Sequence, residues 1–89
     1  MNIDDYNWLQ LYKKCDEYMK NIKANEYNIA TNKRSVYKSD AIVEVSLPKR
    51  NNTIAMMMLD NGNACIKGKG YKKDGKLYCT YGIYINRLN

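Results

Sequence analysis

Two dipeptides, Asn61-Gly62 and Asp74-Gly75, constrain this chain more than any other feature. A tight type I′ turn needs positive φ at both central positions, which Asn, Asp and Gly tolerate best. Read as two-residue hairpin loops, the dipeptides fix which residues face one another. Across Asn61-Gly62, Leu59 faces Ala64, Met58 faces Cys65, Met57 faces Ile66 and Ala55 faces Gly68. Across Asp74-Gly75, Tyr71 faces Tyr78, Gly70 faces Cys79, Gly68 faces Tyr81 and Ile66 faces Ile83. A third short connection, Pro48 to Asn52, sets Leu47 opposite Thr53, Val45 opposite Ala55 and Val43 opposite Met57.

The three registers agree on one apolar face. It collects Ala41, Val43, Val45, Leu47, Ala55, Met57, Leu59, Ala64, Ile66, Leu77, Cys79, Tyr81, Ile83 and Ile85. Agreement between separate local choices is what a foldable sequence shows. The natural cover for that face lies at the start of the chain. From Asp4 to Lys23, apolar residues at Trp8, Leu11, Tyr12, Cys15, Tyr18, Met19 and Ile22 recur at steps of three and four. That spacing predicts an amphipathic helix ending near Asn25, with Asn2 or Asp4 as N-cap and Leu9 off the buried stripe. The expected fold is α+β: one N-terminal helix packed on one face of a four-stranded antiparallel meander. Residues 25–38 form a linker or an extra edge strand. The whole chain of 89 residues makes one domain.

The opposite face carries Ile42, Glu44, Ser46, Ile54, Met56, Met58, Cys65, Lys67, Lys69, Tyr71, Tyr78, Thr80, Gly82 and Tyr84. In the expected register, Ile42, Met58, Cys65 and Tyr84 form one lateral apolar row. An exposed apolar row of that kind marks a contact surface. Ile42, Met56, Met58 and Tyr84 are therefore the candidate anchors for a protein or nucleoprotein partner. The same row would also serve a face-to-face homodimer. Lys67, Lys69, Tyr71, Lys72, Lys73, Lys76 and Tyr78 give a second reading. Tyrosines stack on bases while lysines follow phosphates, as in sheet surfaces that bind single strands. The segment lacks the RNP1 pattern, and helix–strand order departs from an RNA-recognition motif.

Charge sharpens that reading. Residues 1–40 hold seven Lys/Arg against six acids, whereas residues 41–89 hold eight against three, so nearly all of the net +6 sits in the second half. A basic half attracts anionic partners, although positive charge also serves solubility. Tyrosine supplies nine of the ten aromatics. An AT-rich coding sequence gives the same bias toward Tyr, Lys, Asn and Ile, which weakens the tyrosine count as an argument.

The glycines of KGKG do not make a phosphate loop. Gly68 and Gly70 fall inside a strand, and no G-K-[ST] ending or following helix is present. Catalysis is not expected either. The chain has no histidine, and its carboxylates are scattered. Glu44 beside Lys67 reads as a surface ion pair. Cys15 and Cys79 point into the expected core, while Cys65 lies near Lys67 on the other face. Three separated cysteines match no zinc spacing, so no metal or other cofactor is expected, and free thiols suit a reducing cytoplasmic setting. No apolar run is long enough for a membrane span, and MNIDDYNWLQ, acidic and without a basic then apolar stretch, is not expected to act as a signal peptide. In size and composition the chain is similar to small accessory proteins of phages and mobile elements, anti-CRISPR proteins among them, that block host nucleoprotein machinery. The similarity is not one of residues. It implies a non-catalytic inhibitor that occupies a partner's surface.

Overall fold

The computed structural model describes residues 3–30 and 42–88, with side chains described from Trp8 onward. Helix α1 spans Ile3–Asn21, so Asp4 lies in its first turn. Its stripe faces inward as the spacing predicts: Trp8, Cys15 and Met19 are buried, and Leu11, Tyr18 and Ile22 pack against them. Leu9, off the stripe, is exposed. The helix ends without a glycine. Lys23 takes φ +62, the Lys23 amide donates to the Lys20 carbonyl, and the Ala24 amide donates to the Met19 carbonyl. These are the two bonds of a Schellman cap. The chain then turns back, and the Tyr27 hydroxyl donates to the Asp16 carboxylate on α1.

A short strand, β1 (Asn28–Ile29), pairs antiparallel with β2 (Ile42–Pro48). It supplies the extra edge strand expected within residues 25–38; residues 31–41, including Ala41, lie outside the described residues. Strand β2 does not pair with its successor in sequence. It pairs with β5 (Lys76–Tyr84), from Ile42 opposite Tyr84 to Pro48 opposite Tyr78. The other edge of β5 takes β3 (Ala64–Ile66) and β4 (Tyr71–Lys73).

Since β2 and β3 are both antiparallel to β5, they run parallel to each other. Parallel strands need a crossover. Here it consists of a 3-10 turn, Lys49–Asn51, and a helix, α2 (Asn52–Asp60). The expected strand over residues 53–59 is therefore corrected to a helix, and with it the pairs Val43–Met57, Val45–Ala55 and Leu47–Thr53. Ala, Met and Leu are strong helix formers, and the unbroken run Ile54–Leu59 fits either period. Asn61-Gly62 is no hairpin turn. Asn61 stays near helical values (φ −81, ψ −2) and only Gly62 turns left-handed, at φ +73. The Gly62 amide donates to Leu59 and the Asn63 amide to Met58, closing α2 with a second Schellman cap.

Asp74-Gly75 does form the expected hairpin, with both residues at positive φ and Tyr71 opposite Tyr78. Further along, the register changes. Ala64 faces Ile83 and Ile66 faces Tyr81, where the sequence spacing sets Ile66 opposite Ile83 and Gly68 opposite Tyr81. The strand breaks between Ile66 and Tyr71, and the break takes up two residues. Because the shift is even, each side chain keeps its face.

Helices α1 and α2 both cover the odd-numbered face. Val43, Val45 and Leu47 of β2, Ile83 of β5, and Ala55 and Met58 of α2 join Trp8, Cys15 and Met19 in one core. Full burial of each large side chain contributes about 1.5–3 kcal/mol. The core face of β2 is thus as expected, and on β5 Ile83 is buried with Tyr81 packed against the core. Cys79, placed in the core by its parity, is only half-buried, and Ile66 and Leu77 are exposed. Neither helix lies on the other side of this open antiparallel sheet of five strands. On that side Ser46, Pro48 and Gly82 are buried, Tyr78, Thr80 and Tyr84 are half-buried, and Lys67, Tyr71, Lys73 and Lys76 are exposed.

Candidate functional site

The open face is read in rows across the strands. Tyr71, Tyr78 and Pro48 form the row nearest the hairpin. The two rings stack, with centroids 5.9 Å apart and planes 17° from parallel. The next row holds Lys67, Thr80 and Ser46, with the Lys67 amide donating to the Thr80 carbonyl and the two hydroxyls 3.1 Å apart. Then come Cys65, Gly82 and Glu44, and last Tyr84 beside Ile42. The Arg87 guanidinium lies 4.3 Å from the Tyr84 ring centroid, a cation–π contact.

Gly82 shapes the middle of this surface. A Cβ there would lie 3.0 Å from Ile42, 3.1 Å from the Lys67 stem and 3.2 Å from Cys65 Sγ. With no side chain at Gly82, those three side chains converge over bare backbone. The methylene stem of Lys67 is supported by the sheet, and its ammonium reaches solvent.

The structure brings together some of the residues singled out from the sequence and separates others. Tyr71, Lys73, Lys76 and Tyr78 share the open face of the hairpin, with Lys67 one row away. Lys69 is exposed in the break between β3 and β4. Lys72 faces Leu77 and belongs to the opposite side of the sheet. Among the described residues, Lys67, Lys69, Lys72 and Lys73 enter no ion pair, whereas Lys76 lies 3.6 Å from Glu26.

The apolar row does not survive as expected. Ile42 and Tyr84 are direct cross-strand neighbours, and Cys65 is close by. Met58, however, is fully buried in the core beneath α2. Met56 is 54% exposed on the outward face of α2, and Met57, expected in the core, is exposed beside it. Of the four proposed anchors, Ile42 and Tyr84 stay together, whereas Met56 and Met58 do not join them on one surface. Their grouping depended on residues 53–59 being a strand. Glu44 and Lys67 form no ion pair, although both border Gly82. Glu26, beside Lys76, is not singled out by the sequence because the spacing from Ala24 to Ser39 fits a strand and a helix extension alike.

The titratable groups are tuned by packing. Burial pushes the Cys15 thiol up to about 12, with the Asp16 charge adding to it. Hydrogen bonds from Tyr27 and then Lys20 hold the Asp16 carboxyl below its ordinary value. Burial, then the Asp16 contact, raises Tyr27 well above the usual phenol range. Burial likewise raises Tyr81. Each of these groups is explained by structural packing, and none lies on the open face. Among the described residues no three His, Cys, Asp or Glu side chains gather in a way that could hold a metal ion, and no helix is long and apolar enough to cross a membrane.

Comparison with known proteins gives no match: no family model, curated protein or solved structure matches this chain.

Proposed function

We propose that this chain is a non-catalytic binding protein that takes single-stranded nucleic acid on the open face of the β4–β5 hairpin, either free or as the exposed strand of a nucleoprotein partner. Inhibition of such a partner would follow from occupancy of that strand. One observation carries the reading: the stacked Tyr71–Tyr78 pair is flanked by Lys67, Lys69 and Lys73, which have no ion-pair partner among the described residues. Aromatic faces accept any base, and unpaired lysines beside them suit a phosphate backbone. The absence of histidine supports a binding rather than a catalytic role.

The test is binding of a short fluorescent oligothymidine, followed by anisotropy across a salt series. Affinity should fall linearly on a log–log plot, with a slope near −0.7 per phosphate contacted. Lys67→Ala, Lys69→Ala and Lys73→Ala should each flatten that slope by about 0.7. Tyr78→Ala should cost about 1–3 kcal/mol at every salt concentration. A folded protein that fails to bind at low salt, or one indifferent to Tyr71→Ala and Tyr78→Ala, would remove the proposal. A second reading, docking on another protein, is supported by the outward face of α2, where Met56 and Met57 are exposed together. Under that reading Met56→Asp abolishes partner binding, and added salt has little effect.

A further inference from the structure

Glu26 stands at the margin of the hairpin site and takes two of its cations. It lies two residues before β1. Its carboxylate pairs with Arg50 in the 3-10 turn that follows β2, and it lies 3.6 Å from Lys76 Nζ on β5. The Asn51 side-chain amide donates to the Glu26 carbonyl at 3.5 Å, which holds the backbone in place. Lys76 precedes Tyr78 by two residues, so it shares the open face with the stacked pair. The Arg50 and Lys76 side chains are 60% and 53% exposed and the Glu26 side chain 32%, so the carboxylate is seated between two solvent-reaching cations. An oxyanion between an arginine fork and a lysine is the arrangement a phosphate would otherwise adopt.

Resting on the reading of the hairpin as a single-strand site, we infer that Glu26 is an internal phosphate surrogate that fixes one boundary of that site. It occupies Arg50 and Lys76, and so confines phosphate contact to Lys67, Lys69 and Lys73. Cations already held by a carboxylate neutralise no phosphate and displace no counterion from the strand, so they contribute nothing to the salt slope.

Glu26→Gln keeps the shape of the side chain and removes its charge. With oligothymidine as the probe, the variant's salt slope should steepen by about 1.4, two further contacts at about 0.7 each. Glu17→Gln, an exposed change on α1 with the same effect on net charge, should leave the slope where it was. The double variant Arg50→Ala/Lys76→Ala should keep the slope of the unaltered protein and erase the gain in the Glu26→Gln background. A Glu26→Gln slope equal to that of the unaltered protein would overturn the inference. So would a flatter slope from Arg50→Ala/Lys76→Ala alone, a result that stands even if Glu26→Gln fails to fold. If the unaltered protein binds no oligothymidine at any salt concentration, the hairpin site itself is refuted. Binding with an unmoved Glu26→Gln slope refutes only the role of Glu26.

Discussion

Asn61-Gly62 and Asp74-Gly75 are the same kind of dipeptide, and they do different work. At Asp74-Gly75 both residues are left-handed, at φ +52 and +78, and the chain folds back so that Tyr71 meets Tyr78. At Asn61-Gly62 only the glycine is left-handed, and the chain leaves a helix instead. Two consecutive left-handed residues make a type I′ turn, whereas one alone closes a helix. The dipeptide announces a left-handed position. What precedes it decides how that position is used: Ala, Met and Leu before Asn61, Tyr and Lys before Asp74.

The most damaging test of this contrast is at Met58. As a strand residue before a hairpin it would lie on the open face beside Met56, and aspartate would be mild at both. As a helix residue it is fully buried, while Met56 points outward. Met58→Asp should therefore abolish the cooperative unfolding transition in urea, since an unpaired buried charge costs more than about 4 kcal/mol. Met56→Asp should shift stability by no more than about 0.5 kcal/mol. Similar effects at the two positions would return residues 53–59 to a strand.

A smaller effect separates the two turns themselves. Asp74→Ala places a Cβ residue at φ +52 without the local hydrogen bonding that Asp offers, and should destabilise by about 1 kcal/mol. Asn61→Ala sits at helical angles and should be neutral within about 0.5 kcal/mol. If both turns were type I′, the two substitutions would cost alike. Gly62→Ala should cost about 1 kcal/mol, because its φ of +73 is needed in either reading.

How far the sequence could be read follows from the same contrast. Parity survives in β2, β3 and β5, because Val43, Val45, Leu47 and Ile83 are buried on one face and the break before Tyr71 absorbs an even number of residues. Parity fails over Ile54–Leu59, because a continuous apolar run has no period and any register imposed on it looks consistent. The same error built the apolar row through Met58. The tyrosine and lysine cluster was legible, since Tyr71, Tyr78 and Lys73 depend on a turn whose two residues both demand positive φ. Lys72, grouped with them for its charge at the turn, lies on the other side, as strand alternation sets it. Glu26 was not legible. Its ion pairs arise from β2 and β5 being neighbours, which brings Arg50 and Lys76 to one place, and a meander would have kept them apart.

The smallest effect concerns a helix end with no glycine to announce it. Lys23 closes α1 with the same pair of hydrogen bonds that Gly62 and Asn63 make for α2, yet it does so with a side chain at φ +62. An L-residue there costs about 1–2 kcal/mol relative to glycine. Part of that is returned, because glycine loses more freedom on folding. Lys23 is exposed, so its stem contributes little packing, although its charge favours the negative end of the helix by about 0.3 kcal/mol. Lys23→Gly should accordingly raise stability by about 0.5 kcal/mol, the reverse of the loss at Gly62→Ala. Lys23→Asn should fall between Gly and Ala, since asparagine tolerates the left-handed region. A series in urea that ranks Gly above Asn above Ala at residue 23 would establish that backbone hydrogen bonding fixes this helix end, with glycine only easing it. A ranking with Gly lowest would mean that the contacts of the lysine side chain hold α1 closed, and the equivalence of the two caps would fail.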